Sequence, residues 1–280
     1  MANIGERTSL PFLREESAGS ILDGGELGEL LLPIPDRLTD SREMVDVFIY
    51  KDTDDQPIAT EKHPLVMPGN FGVLKLISSN NTGAFLDWGL GKDLLLPFSE
   101  QRSLPRPGQP VVVYVYVDPK SNRLVASQRI ARHFPIAAPP YREGDEVELL
   151  LFGKTEMGYK TIVDGKFSGL LFKNQVFEKL YYADKLKGYV TRIRNDYKLD
   201  VSLHAPGAAK VDDLEARLER ELQMRGGFWA LDDKTPAEEI NAELGVSKKV
   251  FKRATGALFK KRKIRFESGG IRLIGDSSAD

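Results

Sequence analysis

Cysteine is absent from this 280-residue chain, histidine occurs three times and tryptophan twice. Without cysteine there are no disulfides, zinc ribbons, thiol nucleophiles or iron–sulfur clusters, and a reducing cytoplasm is the expected compartment. His63, His133 and His204 all fall at or near expected linkers, so no shared pocket gathers them for acid–base or metal chemistry. No run approaches the ~20 apolar residues of a membrane helix. Met1–Glu6 has neither a basic start nor an apolar stretch, so neither a secretion signal nor a membrane partner is expected. A P-loop, an HExxH helix and a GxSxG elbow are all missing. Gly24, Gly25 and Gly28 have no following helix or lysine to make a phosphate cradle and read as a turn between strands. The expectation is a protein without enzymatic activity or cofactor.

Charge of one sign is scarce at each end. The formal net charge is −1, but through residue 60 thirteen acids face five bases. Between Ser247 and Ile274 ten bases face one acid, Glu267. The first end should repel phosphates and the last should attract them.

An internal duplication sets the architecture. Gly19–Ile34 aligns without a gap on Gly83–Phe98, with about half of the positions identical. Val45–Asp52 and Pro57–Thr60 match Val111–Asp118 and Leu124–Ser127, and a weaker third copy runs from Gly144 to Leu203. Within each unit short β-branched or aromatic runs such as Phe71–Ile77, Ala84–Trp88 and Val111–Val117 alternate with Gly, Pro, Asn and Asp. Five such strands in about sixty residues suit a small closed barrel, which leaves no exposed edge. The fold class expected is therefore mainly β with a C-terminal α+β module. Three consecutive five-stranded OB-type barrels should occupy residues 1–62 (degenerate and acidic), 66–130 and 142–205, followed by a winged helix at 210–275. The repeat unit from about Pro68 to Gln128 is expected to fold alone.

The residues Gly83–Asp87, Leu95–Glu100, Val117–Asp118 and Leu124–Ser127 resemble the S-one RNA-binding domain of the OB-fold superfamily. Three such units followed by a winged helix resemble the conserved virulence factor B (CvfB) family of bacterial RNA-binding proteins. The resemblance implies single-stranded RNA as partner and a regulatory role after transcription. It also implies a binding face of aromatics around the second strand, a histidine late in the third, and an Asp with a following Arg near the last turn. In the second unit Phe85, Asp118 and Arg123 match this face, while Thr82 and Pro97 replace the other aromatic and the histidine. Strand alternation sets Phe85 and Asp87 against Leu86 and Trp88. Trp88 reads as core, and Phe85 either packs or stacks. In the third unit the candidates are Tyr159, Lys160, Phe172, Arg192, Arg194 and Lys198. The first unit has Ala18, Ile21, Pro33 and Gln56-Pro57 at these places and no stacking surface. It is expected to cover a neighbouring barrel, contact a basic protein or fold back on the C-terminal module.

After Pro206-Gly207 the period becomes helical, with Leu214, Leu218 and Leu222 on one stripe. Thr235-Pro236-Ala237-Glu238 reads as a capping box opening a second helix, and Ser247 as the cap of a third. Ile264–Phe266 and Ile271–Ile274 across the glycine-rich turn Glu267-Ser-Gly-Gly270 read as a hairpin, the wing. Lys248, Lys249, Lys252, Arg253, Lys260, Lys261 and Arg265 are the candidate phosphate contacts. A DNA-binding transcriptional regulator using this module, or a protein-interaction scaffold, are the alternatives to an RNA binder.

Overall fold

The computed structural model describes residues 2–34, 43–103, 106–173, 176, 179–204 and 208–274, with the side chains of 208–213 left aside. The Pro206-Gly207 break lies outside the described residues. Strands β1 (Arg7–Glu16), β2 (Gly19–Asp23), β3 (Glu29–Pro33), β4 (Met44–Lys51) and β5 (Pro57–Thr60) close a first barrel. β6 (Phe71–Ser79), β7 (Gly83–Asp87), β8 (Leu94–Pro97), β9 (Pro110–Asp118) and β10 (Arg123–Ser127) close a second. β11 (Glu146–Lys154), β12 (Gly158–Val163), β13 (Phe167–Phe172), β14 (Lys185–Ile193) and β15 (Leu199–Ser202) close a third. Each barrel runs through its strands in the order first, second, third, fifth, fourth. Only the third and fifth strands pair in parallel. The three-barrel expectation is met, and the alternation of β-branched residues explains it: Val45, Val47 and Ile49 fill one barrel, while Val111, Val113 and Val115 fill the next.

The barrels do not have separate cores. Phe48 and Tyr50 alternate with Val47 and Ile49, so they point out of the first barrel, yet both are buried. They pack on Trp88 of the second barrel, edge to face, at 5.9 and 6.1 Å between ring centroids. Trp88 is 2% exposed, and its indole N–H donates to the Lys92 carbonyl. The Lys92 ammonium in turn donates to the backbone carbonyls of Lys51 and Asp52 in the first barrel. Of the three roles open to the acidic first unit, covering a neighbouring barrel is the one its packing serves.

A second joint follows the same rule. Val112 points out of β9 and packs with Leu150 and Ile162 of the third barrel, Phe71, and Phe134 of the connecting segment. The Val112 amide donates to the Tyr182 hydroxyl at 2.8 Å. Beside it the His133 ring stacks on Tyr114 at 4.1 Å, with its Nε2 buried and without a hydrogen-bond partner among the described residues. Burial holds this imidazole below its ordinary pKa, against the raising effect of the Glu100 carboxylate.

The C-terminal module contains α1 (Ala208–Met224), β16 (Phe228–Trp229), α2 (Ala237–Leu244), α3 (Lys248–Lys260), β17 (Ile264–Glu267) and β18 (Gly270–Leu273). Leu214, Leu218 and Leu222 meet Trp229, Ile240, Phe251, Leu258 and Ile271 in its core. Ser247 caps α3 as expected, accepting from the Val250 amide. The capping box of α2 does not form. Thr235 turns back to hydrogen-bond within the Asp232 turn, and the N-cap position of α2 is Pro236. A local Asx-type turn outcompetes the cap. The wing hairpin is joined by β16, a two-residue strand too short to show in any periodicity, giving the sheet order β16-β18-β17.

The first joint predicts that the second barrel is weakened when cut from the first, contrary to independent folding of the repeat unit. With Trp229→Phe leaving Trp88 as the sole indole, fluorescence of fragment 66–130 should be red-shifted relative to the full chain, and its urea midpoint lower. Trp88→Ala in the full chain should cost about 3–5 kcal/mol; native-like emission and an undiminished midpoint in the fragment would show that the joint is dispensable. At the second joint the docked His133 binds a proton less readily than an undocked one. Its contribution is therefore present above the unfolded imidazole pKa of ~6.5 and lost as pH falls from there toward the lower folded value. Thermal melts between pH ~7 and ~5 should be flatter for His133→Phe than for the unsubstituted protein, and an identical slope would dismiss this role.

Candidate nucleic-acid interface

In the second barrel Phe85 faces outward, paired across the sheet with Leu95 on one side and Ser78 on the other, while Ala84 and Leu86 point into the core. Leu95 is followed across the parallel step by Val125, two residues beyond Arg123. Phe85, Leu95, Arg123 and Val125 thus floor one cleft of about 220 Å³, with Lys51 and Thr53 of the first barrel on its wall. Arg123 does not stand free. Its Nε donates to Asp55 at 2.8 Å, which also lies 3.4 Å from Lys51. The Arg123 hydrogen bond holds the Asp55 carboxyl below its ordinary range. The acidic first barrel therefore places a carboxylate on the cation of the second. Asp118 accepts from the amide and hydroxyl of Ser121, so it shapes the β9–β10 turn.

In the third barrel Lys160 pairs with Leu170 and Gly158 with Phe172, whereas Tyr159 pairs with Leu171. Because paired residues share a face, Lys160 and Phe172 lie together outside and Tyr159 is turned inward, packed against the core. The Arg194 guanidinium lies 5.8 Å from the Phe172 ring and pairs with the buried Asp200 at 2.5 Å. Arg192 is opposite Asp200 in the register and exposed. Lys198 is tied to Asp196 at 2.6 Å. The structure brings Phe172 and Arg194 together and leaves Tyr159 and Lys198 apart from them.

On α3, successive residues advance by ~100°, which puts Lys248, Lys249, Lys252, Arg253 and Lys260 on one arc opposite the buried Phe251, Ala254 and Leu258. Lys248, Lys249, Arg253 and Lys260 form no ion pair among the described residues, and Lys252 has only Asp233 at 3.7 Å. Other bases of the segment are neutralised by acids from outside it: Lys261 by Glu215 at 2.6 Å and Lys263 by Glu219 at 2.8 Å, both from α1. Arg265 and Arg272 share Glu267. Lys261 and Arg265, expected as phosphate contacts, are thus held by carboxylates. A count of charges along the segment could not show this, because the partners Glu215 and Glu219 lie far upstream in sequence.

Residues 216–273 match the family model of the CvfB-like winged helix domain, and residues 4–62 and 68–129 each match that of the S1 domain. Conserved virulence factor B of Staphylococcus aureus is 27% identical over 249 residues, 81% of this chain and 78% of that protein. The chain carries a CvfB-like winged helix domain behind two S1 domains. The uncharacterized protein YitL of Bacillus subtilis is 26% identical over 95% of this chain and 92% of its own length. A solved multidomain protein with nucleic acid binding domains from Streptococcus pneumoniae is 20% identical, covers 97% of this chain and 99% of that one, and superposes with a TM-score of 0.45. S-one barrels and winged helices are modules of nucleic-acid-binding type, so the presence of both in this chain supports nucleic-acid binding. No described helix is long and apolar enough to cross a membrane.

The ion pairs separate two neighbouring lysines. Lys261→Ala leaves a nearly buried Glu215 without its cation and should destabilise the protein by roughly 1–3 kcal/mol in thermal denaturation. Lys260→Ala should stay within about 0.5 kcal/mol of the unsubstituted protein; equal losses for the two would contradict the pairing.

Proposed function

We propose that this protein is a non-enzymatic binder of single-stranded RNA acting in post-transcriptional regulation, through the second and third barrels and the basic face of α3. One observation carries the reading: each of these two barrels sets an outward aromatic beside a guanidinium, Phe85 with Arg123 in one cleft and Phe172 under Arg194. A single strand can lay bases on such rings and phosphates on such cations, and it needs no groove to do so. Lys248, Lys249, Arg253 and Lys260, which form no ion pair among the described residues, supply a polyanion site on the same chain. In this reading Asp55 stands where a phosphate would sit and is displaced when the strand enters.

Fluorescence anisotropy at matched salt should show tighter binding to single-stranded RNA than to duplex DNA of the same sequence. Preference for a specific duplex would transfer the function to a DNA-binding regulator. Phe85→Ala should cost ~1–3 kcal/mol of binding with little change in the salt slope. Lys248→Ala with Lys249→Ala should instead flatten that slope by roughly 0.7 per lost contact. Asp55→Asn, which asparagine tolerates at this left-handed position (φ 68°), should release Arg123 and raise affinity roughly twofold to fivefold. Circular dichroism must accompany each variant, and a folded Phe85→Ala protein with full affinity would remove the second barrel from the interface.

A further inference from the structure

Resting on the nucleic-acid reading above, we propose that the junction of α3 and the wing is a base-stacking site for one unpaired nucleotide of a single strand, built on Phe259 and Phe266. These two rings lie 5.4 Å apart at 44° to each other, and they are 51% and 44% exposed. The module buries its other phenylalanine on α3, Phe251, completely. Phenylalanine has no polar handle that water could satisfy, and a fully buried one is worth about 1.5–3 kcal/mol. A small domain that leaves two of them half in solvent and touching each other therefore presents an apolar platform.

The surroundings say what the platform takes. By the same ~100° advance Phe259 falls between Lys248 and Lys252 on the arc of α3, with Lys260 and Arg253 toward its far edge, and of these only Lys252 has an ion pair among the described residues. An apolar protein surface would find this rim unfavourable. The phosphates on either side of a stacked base would find it complementary.

Gly256 gives an independent sign. It lies on this arc, three residues before Phe259 and so one turn away. A Cβ added there meets nothing within 4 Å, and its φ is not in the left-handed range. Neither packing nor backbone conformation asks for glycine, which costs about 1 kcal/mol relative to alanine inside a helix. By contrast, at Gly158 and Gly270 the added Cβ would strike backbone atoms of neighbouring strands at 2.1 and 2.3 Å. The absent side chain at Gly256 leaves a flat shelf on which a sugar–phosphate backbone can come close while its base reaches Phe259. Such a platform needs a base that is free of its partner. It makes this winged helix a reader of single strands, with the helix face as phosphate track and the wing as the far wall.

The test uses the full chain and a mixed-sequence single-stranded RNA of about 20 nucleotides, followed by anisotropy, with the matching duplex DNA in parallel. Phe259→Ala with Phe266→Ala should weaken single-strand binding roughly fivefold or more, leave the salt slope unchanged and leave duplex binding unchanged. Phe259→Trp should retain single-strand affinity. Gly256→Gln should raise the melting temperature, since it favours the helix, and still lower single-strand affinity; a merely structural glycine could not give these opposite movements. A folded double-alanine variant that binds the RNA as the unsubstituted protein does would overturn the site, while Lys248→Ala with Lys249→Ala still weakening binding would keep the broader reading standing. Equal loss on single strand and duplex would also overturn it. So would abolition of self-association by the double-alanine variant without loss of RNA affinity, which would make the platform a protein contact. Failure of the unsubstituted protein to bind any nucleic acid would sink the function and this site together.

Discussion

Everything in the barrel region depends on strands that are buried on both faces. A five-stranded barrel needs only its inward residues apolar, and the outward ones are ordinarily free to be polar. Here β4 carries Phe48 and Tyr50 on its outer face and β9 carries Val112, so the barrels cannot be left apart without exposing large apolar surface. Trp88 is the centre of this constraint. It closes the end of the second barrel, receives two rings from the first, and through Lys92 ties its own loop to the β4–β5 turn. The positions of Asp55 and Arg123 follow from that joint. The carboxylate reaches the guanidinium because the packing of Trp88 brings the two turns together.

Much of this was legible in the sequence, and what was missed has identifiable physical causes. The duplication, the strand alternation and the helical stripe of Leu214, Leu218 and Leu222 are local signals, and they led to the three barrels and the winged helix. The face assignment of Phe85 against Leu86 and Trp88 follows from period two alone. The joints were less visible, although a sign was present. In Val47-Phe-Ile-Tyr50 and Val111-Val-Val-Tyr114 the apolar residues run on without alternation, which is how a strand covered on both sides reads. Such a run also suits a strand with one ragged face, so the pattern alone does not name the covering element. Tyr159 turns inward by period two itself: it shares the face of the buried Thr161 and Val163, and β12 runs beside β13 without a break in register, so Lys160 rather than Tyr159 faces outward. The capping box of α2 failed because Asp232, three residues upstream, competes for the same threonine.

Electrostatics shows the same division between local and long-range information. A stretch of ten bases and one acid looks uniformly cationic, but the fold brings Glu215 and Glu219 of α1 under Lys261 and Lys263 and lets Glu267 hold two arginines. What survives as open charge among the described residues is an arc of α3 and Arg262 just past its end, with no acid in the first helical turn to oppose Lys248 and Lys249. Those lysines sit at the positive end of the helix dipole, an arrangement unfavourable for helix stability. Their placement is therefore not explained by helix stability.

The two parts of the proposed interface differ in how they resist salt. On the barrels Arg123 and Arg194 are already held by Asp55 and Asp200, so a phosphate arriving there exchanges one carboxylate partner for another, and the net gain in charge pairing is small. Discrimination at those sites must come from the rings, whose contacts with bases are not screened. On α3 Lys248, Lys249 and Lys260 have no such partner among the described residues, and a phosphate arriving there gains the whole interaction along with release of its counterions. In the proposed interface, affinity at low salt is then set by the lysines of α3, and what persists at high salt comes from the stacking rings, Phe85 and Phe172 on the barrels and the Phe259–Phe266 pair beside the wing. A chain with a net charge near zero can hold a polyanion in this way because net charge is an average: carboxylates hold Arg123 and Arg194 on the barrels, while Lys248, Lys249 and Lys260 stand together on one helix without an ion pair among the described residues.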